Sequence, residues 1–334
     1  MIARYAILFF FFVGAVALPL LLTLLCRWLL PKKWRYKVAL ACTLIIWGAI
    51  GYGVFVGYEQ LVVHQVEYAS ADLPEAFDGY RIVQFSDAHV GTMTGSRQQL
   101  LQRVVDSINA QKADMIVFTG DMQNIYPDEL VPHIATLRQL KAKDGVYAVL
   151  GNHDYATYQN VHPVHKDKNC RKTIQALRDM HFDLLLNEHR IVRRDSDSIV
   201  IAGMENWGRA KRMPHKGDVK KTLAGLNSQS SPEAGKLVNV PFIVMLSHDP
   251  TAWREKILPE SHVQLTLSGH THGGQFQLFD WSPVALSYDE WGGMYSEGDR
   301  SLYVSTGLGA LIPFRLNQPG EIVVITLRKK RRKN

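Results

Sequence analysis

The sequence predicts an α/β sandwich carried behind an N-terminal pair of transmembrane helices. Three observations point there. Two long apolar runs open the chain. From residue 81 onward, β-like runs alternate with amphipathic stretches. Nearly every one of those runs ends in Asp, Asn or His.

The first apolar run covers residues 5–26, and the second covers 38–63, broken late by Glu59 and Gln60. At about 20 residues per crossing, each is long enough to span a bilayer. Neither shows the polar face of a helix that packs on a soluble core. A cleaved signal peptide fits poorly, because the apolar stretch is too long and no small-x-small site follows it. Leu25 argues against lipid attachment at Cys26, where a small residue is expected before the cysteine. The link between the runs carries Arg27, Lys32, Lys33, Arg35 and Lys37. By the positive-inside rule this link faces the cytoplasm, so the body after residue 63 is expected outside it.

Charge is distributed unevenly. Of the 38 Lys and Arg, six lie before residue 64 and six after 327. One of the 31 acids lies in that first stretch, which leaves 26 basic against 30 acidic residues in 64–327. The high pI therefore comes from the ends, and the body has no excess of positive charge for a nucleic acid; none is expected as a partner. The three cysteines form no disulfide framework and no thiolate metal site. Three segments are expected: an anchor over 1–66, a catalytic body over 67–327 and a basic tail over 328–334. The tail reads either as a solubilising end or as a contact for anionic headgroups.

Within the body, strands are expected at 81–85, 115–119, 146–150, 199–202, 242–246, 264–267, 302–305 and 322–327. Helices are expected at 96–109, 128–140, 169–181 and 218–226. Such alternation argues for an α/β sandwich built around sheets. Residues 206–237, rich in Gly, Ser, Lys and Pro, read as an irregular insertion.

The chemistry sits at the strand ends. Asp87-Ala88-His89, Gly120-Asp121, Gly151-Asn152-His153-Asp154, Ser247-His248-Asp249 and Gly269-His270-Thr271-His272 each follow an apolar run. Alone, each is an ordinary turn or solvated strand end. Open α/β sheets place ligands beyond the carboxyl ends of their strands, so together the five deliver their side chains to one edge. Carboxylates, one amide oxygen and several imidazoles suit borderline or hard divalent ions such as Mn, Fe or Zn. A dinuclear pair of this kind clamps both oxygens of a phosphoryl displacement.

In this order the motifs resemble the signature of the calcineurin-like metallophosphoesterases, over about residues 73–327. The run Phe77-Asp78-Gly79-Tyr80-Arg81-Ile82-Val83, the extension Gly273-Gly274-Gln275, and Gly307-Leu308-Gly309 with Pro313 and Arg315 resemble the bacterial membrane or envelope branch related to the YkuE and YaeI phosphodiesterases. The resemblance implies two packed sheets flanked by helices and a site for two divalent ions. It implies one ion on Asp87, His89 and His272, the other on Asn152, His248 and His270, with Asp121 bridging. It implies that His153 contacts the phosphate and protonates the leaving group, oriented by Asp154. Arg315 is a candidate phosphate contact, and residues 204–208 are a candidate substrate rim. Ala88 stands where a larger apolar residue is usual, and Gly320 separates Pro319 from Glu321.

The expected function is metal-dependent hydrolysis of a phosphodiester or pyrophosphate by a two-span protein of the bacterial cytoplasmic membrane. The anchor points to the bilayer as partner and to an envelope substrate such as a lipid-linked phosphate or cell-wall polymer. A protein serine/threonine phosphatase would use the same site but meets few phosphoproteins outside the cytoplasm. A UDP-diacylglucosamine pyrophosphatase, the activity of a related branch, requires the opposite topology. A non-catalytic module on this fold would be expected to lose ligands, and none is lost here.

Overall fold

A computed structural model of the chain describes residues 8–226, 229–230, 237–238 and 241–331. Two helices lead it: α1 (Leu8–Leu29), which includes a π-helical stretch at Val13–Ala17, and α2 (Arg35–Phe55). Both are long and apolar enough to cross a membrane, and hardly any of their surface is covered by the rest of the chain. The last carbonyls of α2 lack helical partners. The body supplies them: the Arg315 amide donates to the Gly53 oxygen at 3.0 Å, and the Arg97 guanidinium donates to the Val54 oxygen at 2.8 Å. A cation at a helix C-terminus also meets the negative end of its dipole.

Fourteen strands are defined among the described residues. They are β1 (Leu61–Ser70), β2 (Arg81–Phe85), β3 (Met115–Phe118), β4 (Val146–Ala148), β5 (Asp183–Leu184), β6 (Glu188–Arg194) and β7 (Asp197–Gly203). The rest are β8 (Gln229–Ser230), β9 (Leu237–Val238), β10 (Phe242–Leu246), β11 (Leu265–Ser268), β12 (Gly293–Glu297), β13 (Arg300–Val304) and β14 (Gly320–Lys329). One six-stranded sheet runs β1-β14-β2-β3-β4-β5, and a second runs β12-β13-β11-β10-β7-β6. In the first, β2, β3, β4 and β5 are mutually parallel; in the second, β13, β11, β10 and β7 are. All their carboxyl ends in a sheet thus meet at one edge.

The central strands β3 and β10 are apolar at every position because both of their faces are covered. Ile82, Met115 and Val117 point to the layer between the sheets, where they meet Ile199, Ile201, Val244 and Leu265. Val83, Phe85, Ile116 and Phe118 point outward, against the apolar face of α3 (Gln98–Ala110) formed by Leu101, Val104, Val105 and Ile108. Across the other sheet, Val200, Ala202, Ile243 and Met245 pack on Trp253 and Ile257.

The structure differs from sequence expectation in several places. Residues 61–63, read as the end of the second span, begin β1, which pairs with β14 from Leu61↔Gly320 onward. A run of Leu-Val-Val has no intrinsic means of distinguishing a strand from the tail of an apolar helix. The helix expected at 169–181 begins earlier, as α4 (Pro163–Asp179), and residues 128–140 form a 3₁₀ stretch, Pro127–His133, followed by one short turn, Ile134–Leu137. Pro132 lies inside that stretch and removes the amide needed for an α-helical bond. The strands β6 and β12 are absent from the sequence reading, because each is an edge strand with polar residues on one or both faces. Part of the 206–237 insertion, residues 227–228 and 231–236, lies outside the described residues, as do tail residues 332–334.

Candidate metal centre

The five strand-end motifs converge. β2 leads to Asp87 and His89, β3 to Asp121, and β4 to Asn152 and His153, all from the first sheet. From the second, β10 leads to His248 and β11 to His270 and His272. All but His270 and His272 are buried, and those two are largely so. Three sets each place their ligand atoms within 4.8 Å of one another: Asp87, His89 and His272; His89, Asp121 and His153; Asp121, His248 and His270. Asn152 joins the third through its side-chain oxygen, 3.1 Å from His248 Nε2. That nitrogen also lies 3.2 Å from Asp121 Oδ2 and 3.1 Å from His270 Nδ1. Asp121 Oδ2 faces the other set as well, at 3.8 Å from His89 Nε2.

The backbone is held in a costly state to achieve this. Asp87, His89, Asp121, His270 and His272 all have positive φ, between 43° and 74°. A non-glycine residue in that region costs about 1–3 kcal/mol and persists only where the surroundings impose it. The surroundings are hydrogen-bonded loops: the Asp87 amide donates to the Gly120 oxygen at 2.9 Å, and the His89 amide to the Asp121 oxygen at 3.2 Å. Gly120 itself sits at φ 98°, and a Cβ there would lie 2.6 Å from the Gly151 nitrogen.

The electrostatics favour cation ligands. Burial, reinforced by the neighbouring His153, pulls the His89 imidazole down to about 3, so it is neutral. Burial also lowers His270, and lowers His272 well below the ordinary histidine range. Burial opposes ionisation of Asp121, but His248 and the other imidazoles outweigh it and hold its carboxyl well below the carboxylate range. In return, Asp121 overcomes the burial of His248 and raises it to about 10. Burial pushes Asp87 up to about 6. The decisive observation is His89: both of its ring nitrogens are buried with no hydrogen-bond partner. A buried imidazole without a partner forfeits the hydration of both nitrogens. A divalent ion bound at Nε2, the nitrogen that faces Asp121, would partner one of the two, so the donor set fits a metal.

Backbone carbonyls orient three of the other imidazoles. His248 Nδ1 lies 2.7 Å from the Thr119 oxygen, His272 Nδ1 lies 3.1 Å from the Gly309 oxygen, and His153 Nδ1 sits on the Asn124 oxygen. An N–H donated at Nδ1 leaves Nε2 facing the site; on His248 that nitrogen carries the proton that Asp121 stabilises, which a bound cation would displace.

Two expectations need correction. Asp154 does not orient the His153 ring. Its carboxylate accepts four amide bonds, from Asp121 (2.8 Å), Gly151 (3.0 Å), Met122 (3.1 Å) and Gln123 (3.3 Å). Burial and the Asp121 charge push its carboxyl up to about 7, against those four donors. Its work is to lock the two ligand loops together, and the Asn124 carbonyl takes the orienting role. Arg315 is not placed to touch a substrate. It is fully buried, and its guanidinium donates to the oxygens of Thr306, Gly307, Gly309, Gln318 and Pro319 at 2.8–3.3 Å. In the 204–208 stretch, Met204 and Asn206 are buried, Glu205 accepts from Asn187 and Tyr155, and Trp207 stacks on His215.

Sequence reasoning missed Tyr158, Tyr288 and Asp249. The Asn152 amide donates to the Tyr158 hydroxyl at 3.2 Å. His270 Nε2 lies 2.8 Å from the Tyr288 hydroxyl and 3.6 Å from an Asp249 oxygen. Asp249 was flagged only by its adjacency to His248; the tyrosines lie in irregular segments with no pattern to mark them.

The geometry agrees with comparisons to known proteins. Over 305 residues the chain is 32% identical to the uncharacterized metallophosphoesterase YkuE of Bacillus subtilis, covering 89% of this chain and 96% of that one. It is 30% identical to a Danio rerio transmembrane protein with metallophosphoesterase domain, over 83% of this chain and 60% of the relative. It is 27% identical to the uncharacterized metallophosphoesterase Cj0846 of Campylobacter jejuni, over 80% of this chain and 64% of the relative. The profile of the calcineurin-like phosphoesterases matches residues 80–274, the span from β2 through the last of the converging histidines. With two mixed sheets, a buried cation-ligand cluster at their shared edge and this match over more than half its length, the chain belongs to the calcineurin-like phosphoesterase family of metal-dependent hydrolases acting on phosphoester bonds.

Proposed function

We propose that this chain is a membrane-anchored phosphodiesterase or pyrophosphatase with a dinuclear site. Asp87, His89 and His272 would hold one ion, Asn152, His248 and His270 the other, and Asp121 would bridge. Two divalent cations, Mn, Fe or Zn, would supply charge neutralisation at the phosphoryl oxygens and acidify a bound water. The observation that carries the reading is the pairing of His89, with two buried and unpartnered ring nitrogens, with a carboxylate whose Oδ2 faces imidazoles from both sets.

The chain's own groups have separable tasks. Asp121 Oδ1 accepts the His153 amide at 2.8 Å, which fixes the carboxylate rotamer and leaves Oδ2 to the site. His153 packs edge-on against His89 at 4.6 Å between ring centroids, with Tyr158 on its other side at 4.4 Å. It would contact the phosphate and protonate the leaving oxygen as the phosphorus–oxygen bond breaks. Tyr158 and Tyr288 would wall the side of the site near Asn152 and His270.

The two apolar helices would anchor the protein in a bacterial cytoplasmic membrane, with the basic link cytoplasmic and the body outside. The anchor would comprise residues up to about 60, since β1 belongs to the first sheet. The test is hydrolysis of bis-p-nitrophenyl phosphate by the full chain in detergent, stripped of metal and resupplied with Mn, Zn, Fe or Mg, with p-nitrophenyl phosphate in parallel. Metal-restored cleavage favouring the diester supports the proposal. Preference for the monoester moves it to a phosphatase, and inactivity with every ion removes it.

A further inference from the structure

From residue 61 onward, nine large apolar side chains are exposed among the described residues, and four of them lie within residues 278–286. This segment begins six residues after His272. Phe279 is 89% exposed and Leu286 is 81% exposed, and Leu278 and Trp281 are about half exposed. The segment is built to present them. Leu278 and Trp281 exchange backbone hydrogen bonds at 2.9 and 3.2 Å, and Phe279 occupies the left-handed region at φ 55° at the tip of that turn. The Ser282 hydroxyl ties its base to the Gly273 oxygen at 2.8 Å.

The same segment abuts α1. Phe276 and Pro283 line an apolar cavity of about 360 Å³ whose other walls include Ile312, Phe314 and, from α1, Phe10. Phe10 and Phe314 lie 4.9 Å apart between ring centroids. The Gln275 side chain, three residues beyond the last histidine of His270-Thr271-His272, donates to the Ile312 oxygen at 2.7 Å. One continuous surface thus joins an apolar helix, an apolar cavity, four projecting apolar side chains and the strand end that carries two imidazoles of the metal centre. In water this surface has no reason to be held open; beside a lipid-embedded helix it has one.

We propose that residues 276–286 dip into the leaflet beside the anchor and that the cavity takes an acyl chain, so that the phosphoester cleaved belongs to a membrane-embedded lipid. The inference rests on the hydrolase reading above and adds the substrate class to it.

Two p-nitrophenyl phosphodiesters with the same reacting centre separate the ideas: the methyl ester, soluble, and the hexadecyl ester, carried in the nanodisc that holds the full chain. The hexadecyl ester is expected to be cleaved at least tenfold more efficiently. The double variant Phe279→Ser with Leu286→Ser, and separately Ile312→Trp to fill the cavity, are expected to erase that preference while leaving methyl-ester hydrolysis intact. Equal cleavage of both esters, or a preference that survives both variants, overturns the proposal. Failure of the wild type on the methyl ester falls on the hydrolase reading instead, and insertion is then read without catalysis. Phe279→Cys, in a chain with Cys26, Cys42 and Cys170 changed to Ser, carries a spin label. A label in the leaflet relaxes with oxygen rather than with a water-soluble nickel complex, and the reverse overturns the proposal.

Discussion

Gly151→Ala offers a severe test of the metal centre, because the cost can be worked from distances. Gly151 has an ordinary negative φ, so alanine brings no backbone strain there. What it brings is volume. The added Cβ would lie 2.1 Å from Asp121 Oδ1, 2.6 Å from its Cγ and 2.6 Å from its backbone nitrogen. Carbon and oxygen in contact need over 3 Å, so the carboxylate must retreat by about 1 Å or the loop must open by as much. Neither is free: Asp121 Oδ1 holds the His153 amide, and the Gly151 and Asp121 amides share Asp154. Overpacking of this kind costs about 1–3 kcal/mol of stability. Displacing a carboxylate of the site by about 1 Å lowers activity by roughly 100-fold. The assay is Mn titration of bis-p-nitrophenyl phosphate hydrolysis, with bound metal measured by mass spectrometry and folding by circular dichroism. The expected variant is folded, slightly destabilised, weakly metallated and at least roughly 100-fold less active. A variant with normal metal content and full activity would refute the placement of Asp121 between the two ligand sets.

For the proposed dinuclear site, Asp121→Asn should abolish hydrolysis in a folded protein, since an amide would not offset the repulsion of two cations; retained full activity would end the bridging role. Arg315→Met strips five carbonyls of a charged donor, including the Gly309 oxygen that receives His272 Nδ1. We expect a loss of about 3–5 kcal/mol in stability and weaker metal retention, with an unchanged KM at saturating metal; a raised KM in an equally stable protein would restore Arg315 to the substrate. The Asp114 carboxylate receives the Arg81 amide, Lys143 and Arg194 at 2.8–2.9 Å, and although burial pushes it up, these partners hold it below the ordinary range. A depressed folded value means that its contribution is present above the unfolded value, near 4, and fades as the pH falls through the folded one. The gap in denaturation midpoint between wild type and Asp114→Asn should therefore be widest at neutral pH and shrink as the pH falls below about 4; a constant gap would show that the ion pairs are not its source. A phosphatase reporter fused after Gln60 should be active only outside the cytoplasm, and activity of a cytoplasmic reporter there would invert the topology.

Much of this molecule was legible in its residues because the relevant signals are local. Strands β2, β3, β4, β10 and β11 are short apolar runs, and each hands over within three or four residues to its ligand or ligands, so element and ligand are read together. The apolar helices announce themselves by length. Asp154 and Arg315 were misread for one shared reason. A carboxylate beside a histidine and an arginine near a glycine-rich loop look the same in sequence whether they face a substrate or hold backbone amides and carbonyls. Their partners are main-chain atoms, which carry no residue identity. The start of β1 was hidden because Leu61-Val62-Val63 pairs with a strand some 260 residues away along the chain.

Composition and order by themselves determined the chemical class of this protein: which atoms are available to bind cations, at which strand ends, and behind what anchor. Tertiary structure alone decided which of those atoms meet. The convergence at Asp121 requires two sheets to bring their carboxyl edges together. The five left-handed residues of the candidate site require loops that pin one another. The apolar segment beside α1 gains meaning only from the helix it abuts. Coordination and burial depend on distances between residues far apart in the chain, and those distances exist only once the sheets have packed.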